Sequence, residues 1–267
     1  MATSKTALIL RGAKVVVIGG SSGIGFATAS ALIEEGASVV IGSSSQSRVD
    51  EAVARLSDPS KQYNADASRV SGHALNLQGA GAEESLRAFF GKIGAFDHLI
   101  YTAGDSLAAK PIAEFSYDDI VAAGQLRFIS VILAVKVATS TGGALKDGGS
   151  IVLTTGVVAE KPNKHWSVLA GYASALYGLT RNLALDLADR NIRVNAVSPG
   201  PVQTELWNSF PEEQRKGFLN HLGGKLLTGK VGQPEDLANT YVYLLKDRNA
   251  TGQIITSDGG STVADRQ

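Results

Sequence analysis

Cysteine is missing from all 267 residues, which excludes disulfides, thiol nucleophiles and thiolate metal sites. Histidine occurs only four times, so a His-rich metal centre is not expected either. Neither sign of charge is in excess. Lys+Arg and Asp+Glu both number 25, which argues against nucleic acid or an anionic membrane as partner. No run reaches roughly 18 uninterrupted apolar residues, so no membrane span is expected. Met1 to Gly12 lacks the apolar run of a signal peptide, and the expected location is cytoplasmic. What the chain has instead is 44% hydrophobic and 19% charged residues, a balance that supplies a sizeable core rather than disorder.

Short apolar runs alternate with helical patterns from end to end. Lys14–Ile18 is β-branched and ends in glycines, as a buried parallel strand does. Phe26 to Gly36 then has helical spacing and a glycine stop. Further strands are expected at 38–41, 73–75, 96–101, 149–154, 192–197 and 252–256, with long helices over 117–140 and 169–190. Such alternation with right-handed crossovers gives an α/β fold, a single doubly wound parallel sheet of about seven strands with helices on both faces. No linker, repeat or low-complexity tract divides the chain, so one Rossmann domain over 1–267 is expected.

Between the first strand and first helix lies Gly19-Gly20-Ser21-Ser22-Gly23-Ile24-Gly25. Glycines there let backbone amides approach a pyrophosphate, and a helix N-terminus favours its charge. A glycine-rich loop alone is weak evidence; its placement in a strand–turn–helix unit makes it a dinucleotide site. The second strand ends in Gly42-Ser43-Ser44-Ser45-Gln46-Ser47-Arg48, with no acid before Asp50. An acid there would hold the ribose hydroxyls of NAD; hydroxyls and a nearby cation suit a 2′-phosphate. The plain alternative is a polar serine-rich loop. NADP(H) is the expected cofactor.

Four segments carry a resemblance to the short-chain dehydrogenase/reductase family that spans nearly the whole chain: Gly19–Gly25, Thr102-Ala103-Gly104, the run from Ile192 to Gly200, and Asp258-Gly259-Gly260. The resemblance implies that Ala103 and Gly104 lie under the adenosine half and that Asn76 and Leu77 flank the adenine. It also implies that Pro199 and Gly200 lead into a segment in which Val202 and Thr204 meet the nicotinamide carboxamide. Family members work with an Asn, a Ser, a Tyr and a Lys; the Tyr gives a proton to the carbonyl oxygen as hydride arrives. Counted from Gly178 in Gly178-Leu179-Thr180, the Lys position is Ala173 and the Tyr position Leu169. The Ser position is Gly156 and the Asn position Arg127. All four are replaced. Tyr172 and Tyr177 lack a Lys four residues on and are expected to pack.

Hydride addition to a ketone leaves an alkoxide that needs a proton, whereas addition to an iminium leaves a neutral amine that needs none. A cofactor site kept while the proton relay is gone therefore points to C=N reduction or to non-redox chemistry in the same pocket. Arg127, flanked by apolar residues, is a candidate to hold a carbonyl oxygen or developing oxyanion, or else an ordinary salt-bridged arginine. Asp105, after the Ala-Gly turn, is a candidate counter-ion or a loop cap. The loop Glu160–Trp166 should border the substrate, with Trp166 stacking on it and His165 shuttling protons or standing in solvent. Trp207, in the segment expected to form a lid, is a candidate pocket wall.

The missing tetrad, Arg127 and the stretch from Lys161 to Gly171 resemble fungal secondary-metabolism members of the family, among them the bifunctional reductase/Diels–Alderases of malbrancheamide and paraherquamide indole alkaloids. That resemblance implies NADPH reduction of an iminium in a bulky indole-type intermediate, coupled to an intramolecular 4+2 cycloaddition. It also implies an Asp where Asn163 stands; an Asn keeps the shape but carries no charge. Two alternatives stay open: a carbonyl reductase with another acid, and a non-catalytic NADP(H)-binding protein. A homodimer or homotetramer is expected, through apolar positions such as Leu169, Ala173, Leu176 and Ala184.

Overall fold

The computed structural model of the chain describes residues 6, 8–105, 107, 109–140, 142–209 and 211–266. Seven strands, β1 (Lys14–Ile18), β2 (Ser38–Ser43), β3 (Val70–Ala74), β4 (Phe96–Tyr101), β5 (Leu145–Thr154), β6 (Arg193–Pro199) and β7 (Ile254–Ser257), form one sheet in the order β3-β2-β1-β4-β5-β6-β7. Every pairing is parallel. The helices are α1 (Gly23–Glu34), α2 (Gln46–Ser57), α3 (Ala82–Ile93), α4 (Tyr117–Gly124), α5 (Ser130–Thr139), α6 (Ser167–Asp186), α7 (Glu212–Lys225) and α8 (Pro234–Lys246).

The strands read as unbroken apolar runs because both faces of the sheet are covered. Val15 and Val17 join Leu32 and Ile33 of α1, Val49 of α2 and Tyr241 of α8 in one core cluster. Val16 and Ile18, pointing the other way, join Leu86 of α3, Val131 and Ala134 of α5 and Leu176 of α6. The chain runs outward from β1 to β3 and then returns to β4, so strand order reverses between β1 and β4. That reversal opens a crevice at the C-terminal strand ends, where α/β sheets bind ligands.

Three expectations need correction. The third strand is Val70–Ala74 rather than 73–75. Its signal is faint because Gly72 sits where a Cβ would come within 2.6 Å of the Ile41 and Val49 side chains. The helix expected over 117–140 is instead α4, a π turn at Gln125–Ile129, and α5. Leu169 and Leu176, expected on an oligomer face, are buried within the chain itself.

Tyr117–Thr139, with a mean hydropathy of 1.8, is long and apolar enough to cross a membrane by length and composition. Counting uninterrupted apolar residues passes over it because Arg127 and Lys136 break the run. Val131, Ala134, Val135 and Ala138 on its inner side belong to the sheet core.

Candidate active site

The turn after β1 approaches the end of β4 as closely as backbone allows. Gly19 has φ +91°, and a Cβ on it would lie 2.5 Å from the Ala103 amide nitrogen. Gly23, the first residue of α1, has φ +52°. Both values favour glycine. Ser22 is the N-cap of α1 yet makes no side-chain cap bond, and the first turn carries no acidic residue. The first turn thus has no side-chain cap and no acidic residue of its own, which fits a pyrophosphate, although Glu205 Oε2 lies 3.5 Å from the place a Cβ on Gly23 would occupy.

The serines after β2 form a second polar cluster. Ser21 Oγ donates to Ser43 Oγ at 2.7 Å, linking the two turns. The Arg48 guanidinium donates to Ser44 Oγ at 2.6 Å, and Ser45, the N-cap of α2, shares a 2.8 Å hydroxyl contact with Ser47. Hydroxyls, a helix start and one cation thus surround the ribose end of the crevice, a fit for a 2′-phosphate. Beyond β3, Asn76 Oδ1 accepts from the Gln78 amide, and the buried Leu77 turns its carbonyl toward the π turn. At the other end, Gly200 packs where a Cβ would lie 2.5 Å from Asp258 Cα. Val202 bridges to Gly232, and Thr204 meets the first turn of α1, 3.3 Å from the position of a Cβ on Gly23.

One residue past the Gly19–Ala103 contact lies a half-buried ion pair. Gly104 abuts the Arg127 guanidinium, leaving 3.1 Å between Nη1 and the place a Cβ would occupy. Arg127 Nε stands 3.3 Å from Asp105 Oδ1, and the guanidinium also donates to the Asp105 carbonyl oxygen. Asp105 Oδ1 is buried and, beyond its 3.3 Å contact with Arg127, has no hydrogen-bond partner among the described residues. Burial draws the guanidinium below its ordinary value while Asp105 opposes that shift; an arginine so placed stays charged. Tyr101, fully buried beside the pair, donates its hydroxyl to the Leu126 carbonyl at 2.8 Å, and burial raises its pKa.

The positions counted for the other three family residues are Gly156, Leu169 and Ala173, and Leu169 is buried. Gly156 is extended and has open space at its Cβ, the nearest atom being the Pro199 carbonyl at 4.0 Å. Thr155 Oγ1 donates to the Ala173 carbonyl at 2.7 Å, which docks the end of β5 on α6. Tyr172 is turned away, donating to the Ile120 carbonyl and stacking on Phe128 at 5.8 Å. Tyr177 donates to Glu160 Oε1 at 2.7 Å and lies 3.1 Å from Ser198 Oγ; burial pushes its pKa up to about 12.

Two loops roof the crevice and are joined where the Lys110 amide donates to the His165 carbonyl at 3.1 Å. His165 has φ +72° and is exposed, as is Asn163; Trp166, half-buried, caps the start of α6. Trp207 sits elsewhere than the pocket wall. Its Nε1 donates to the Val202 carbonyl, and its ring packs on Phe218 beside Leu219, Leu226 and Val231, the lid's own apolar cluster. Sequence reasoning missed Tyr101, Gln125 and Ser130; two polar residues five apart inside an apolar helix were the available signal.

A model of the SDR-like Rossmann domain matches residues 7–264 of the chain. The short-chain dehydrogenase/reductase fsr5 of Gibberella fujikuroi is 39% identical over 263 residues, covering 96% of each chain. Among solved structures, the MalC reductase/Diels-Alderase of Malbranchea aurantiaca superposes with a TM-score of 0.86 at 31% identity, over 96% of this chain and 98% of that one. A small-chain dehydrogenase in complex with NADPH superposes with a TM-score of 0.75 at 29% identity, over 95% and 100%.

Proposed function

Because the chain belongs to the family of SDR-like Rossmann domains, we propose that it is an NADP(H)-dependent reductase of the C=N bond in a bulky, indole-type iminium. The reading extends to an intramolecular 4+2 cycloaddition of the reduced product. Bound NADPH supplies the hydride. The glycine turn, Ser43, Ser44 and Arg48 hold the dinucleotide. The observation that carries the reading is the Arg127–Asp105 pair on the turn that also abuts Gly19, with Leu169 and Ala173 where a proton-donating relay would stand.

Reduction of an iminium cancels a positive charge and needs no proton on the reacting atom. Asp105 then serves as counter-ion to the cationic substrate before hydride arrives, and the arginine holds that side chain in place. The outward edge of the guanidinium donates to a carbonyl oxygen of the same substrate. Trp166 offers a flat face for an indole, and the roof loops exclude water. Orientation and shape, rather than acid catalysis, are the protein's contribution. The similarity to a protein described as a reductase/Diels-Alderase supports the cyclisation step. A homodimer or homotetramer through the outer face of the helix Tyr117–Thr139, where Ile132 is exposed, completes the reading.

The test is single-turnover NADPH oxidation with the N-methyl-3,4-dihydroisoquinolinium ion and with 2-tetralone as its ketone counterpart. Transfer to the iminium but not the ketone supports C=N reduction. Transfer to the ketone alone overturns it in favour of a carbonyl reductase. Tight NADPH binding without transfer to either favours a non-catalytic dinucleotide-binding protein.

A further inference from the structure

The π turn that carries Arg127 is held from below by a buried polar clamp. Gln125 Nε2 donates to the Leu77 carbonyl at 2.9 Å, and Ser130 Oγ donates to the same oxygen at 2.8 Å. The two donors also meet each other at 3.1 Å. Gln125 is 9% exposed and Ser130 not at all, so these bonds form away from water.

Residues five apart on a regular α-helix point about 140° from one another, and both could not reach one carbonyl. In a π turn the residue at i+5 bonds back to residue i and stands over it. Here the Ser130 amide donates to the Gln125 carbonyl, which brings both side chains onto Leu77. The Tyr101 hydroxyl takes the neighbouring Leu126 carbonyl. Arg127, between the clamp residues, is thereby rolled toward Gly104 and Asp105.

We infer that Gln125 and Ser130 are positioning residues that, anchored on the Leu77 carbonyl, select the π register and so set the Arg127 guanidinium against the turn carrying Gly104 and Asp105. The clamp ties the adenine-side strand end to the group facing substrate, and it rests on the reading of Arg127 as that group. Leu77 offers one oxygen with two lone pairs, and the clamp uses both. Losing either donor leaves a buried acceptor half-satisfied and frees the turn to relax toward α-helical spacing, which would carry Arg127 off the Gly104 turn.

The experiment follows the Arg127 Nε–Hε signal of the full chain in a proton–nitrogen spectrum, identified by its loss in Arg127→Lys. Ser130→Ala and Gln125→Leu are expected to shift or broaden that signal. Val131→Ala, a neighbouring core truncation outside the clamp, is expected to lower Tm and leave the signal in place. Hydride transfer to N-methyl-3,4-dihydroisoquinolinium should fall about 10-fold in the clamp variants, about 1.4 kcal/mol of barrier, with no further loss when they are combined with Arg127→Ala. An unmoved signal in both clamp variants overturns the inference, as does a rate loss that adds fully to that of Arg127→Ala. If Arg127→Ala itself leaves transfer unchanged, the substrate-facing role of Arg127 fails while the spectrum still decides the clamp.

Discussion

Arg127 and Asp105 are joined twice, by an Nε···Oδ1 ion pair of 3.3 Å and by a guanidinium N–H donated to the Asp105 carbonyl oxygen. Asp105 Oδ1 has no hydrogen-bond partner among the described residues, so it keeps spare accepting capacity beside its cation. The pair is not sealed: the arginine side chain is 24% exposed and the aspartate 36%. On the proposed reading, a cationic substrate meets a carboxylate that is already partly desolvated and held by Arg127.

Removing the guanidinium should disable the site without emptying the cofactor crevice. Arg127→Ala is expected to lower single-turnover transfer to a cyclic iminium by about 100-fold, the scale of losing one preorganised donor. NADPH affinity, read from cofactor fluorescence, should hold within about 2-fold. Arg127→Lys should rescue little, since an ammonium cannot reproduce the planar fork against Gly104. Equal losses in NADPH binding and in transfer would mean that the arginine is only structural.

Asp105 is tested by charge rather than by shape. Asp105→Asn keeps the side-chain size and removes the counter-ion. The KM for a permanently charged iminium should rise, while the inhibition constant of an uncharged lactam of the same ring shape should hold. Equal weakening of both would remove the counter-ion role.

Asn163 stands exposed on the roof loop, two residues before His165 and within one turn of Trp166. Asn163→Asp adds one negative charge near the crevice mouth at almost no steric cost. A new charge attracting a cation across several ångströms of solvent contributes about 1 kcal/mol, or about 5-fold in kcat/KM for a cationic iminium. The gain should fade with added salt and be absent from the binding of an uncharged lactam of the same shape. An unchanged rate at low salt would place Asn163 outside the substrate's field.

The strand–helix order and the glycine turn were legible because they rest on local rules. Buried parallel strands must be apolar on both faces, as Val15, Val16 and Val17 are, and a turn pressed on Ala103 must be glycine at position 19. The π turn was not legible. Its cause is the Leu77 carbonyl, 48 residues from Gln125 and 53 from Ser130, and periodicity carries no trace of so distant a partner. Trp207 shows the converse difficulty. An indole near a crevice reads as a pocket wall, yet the lid needs a core of its own and takes Trp207 for it.

Arg48 donates to Ser44 Oγ in the serine loop after β2, and its proposed role is to select the cofactor. Arg48→Ala should raise the NADPH dissociation constant by about 10-fold, one charge-assisted contact with a phosphate. The NADH constant should stay within about 2-fold, so the preference between the two narrows. Titration of both cofactors by fluorescence reads it directly. A parallel weakening of NADH would mean that Arg48 only orders the loop.

Acid stability should be governed from the opposite end of the sheet. His98 on β4 shares a 2.9 Å contact with Ser150 Oγ, and burial pushes its imidazole down to about 4. Asp97 pulls it upward, while Arg193, Arg248 and Lys146 add to the depression. The folded chain thus resists a proton that the unfolded chain accepts near pH 6.5. Between those two values the unfolded state binds more protons, so stability falls as pH drops from about 6.5 toward 4 and is level above that range. The loss attributable to this one side chain is about 3 kcal/mol. His98→Asn keeps a polar partner for Ser150 and removes the titration, so its Tm should vary less than the parent's over the same interval. Parallel Tm curves for parent and variant would assign the acid sensitivity to other groups.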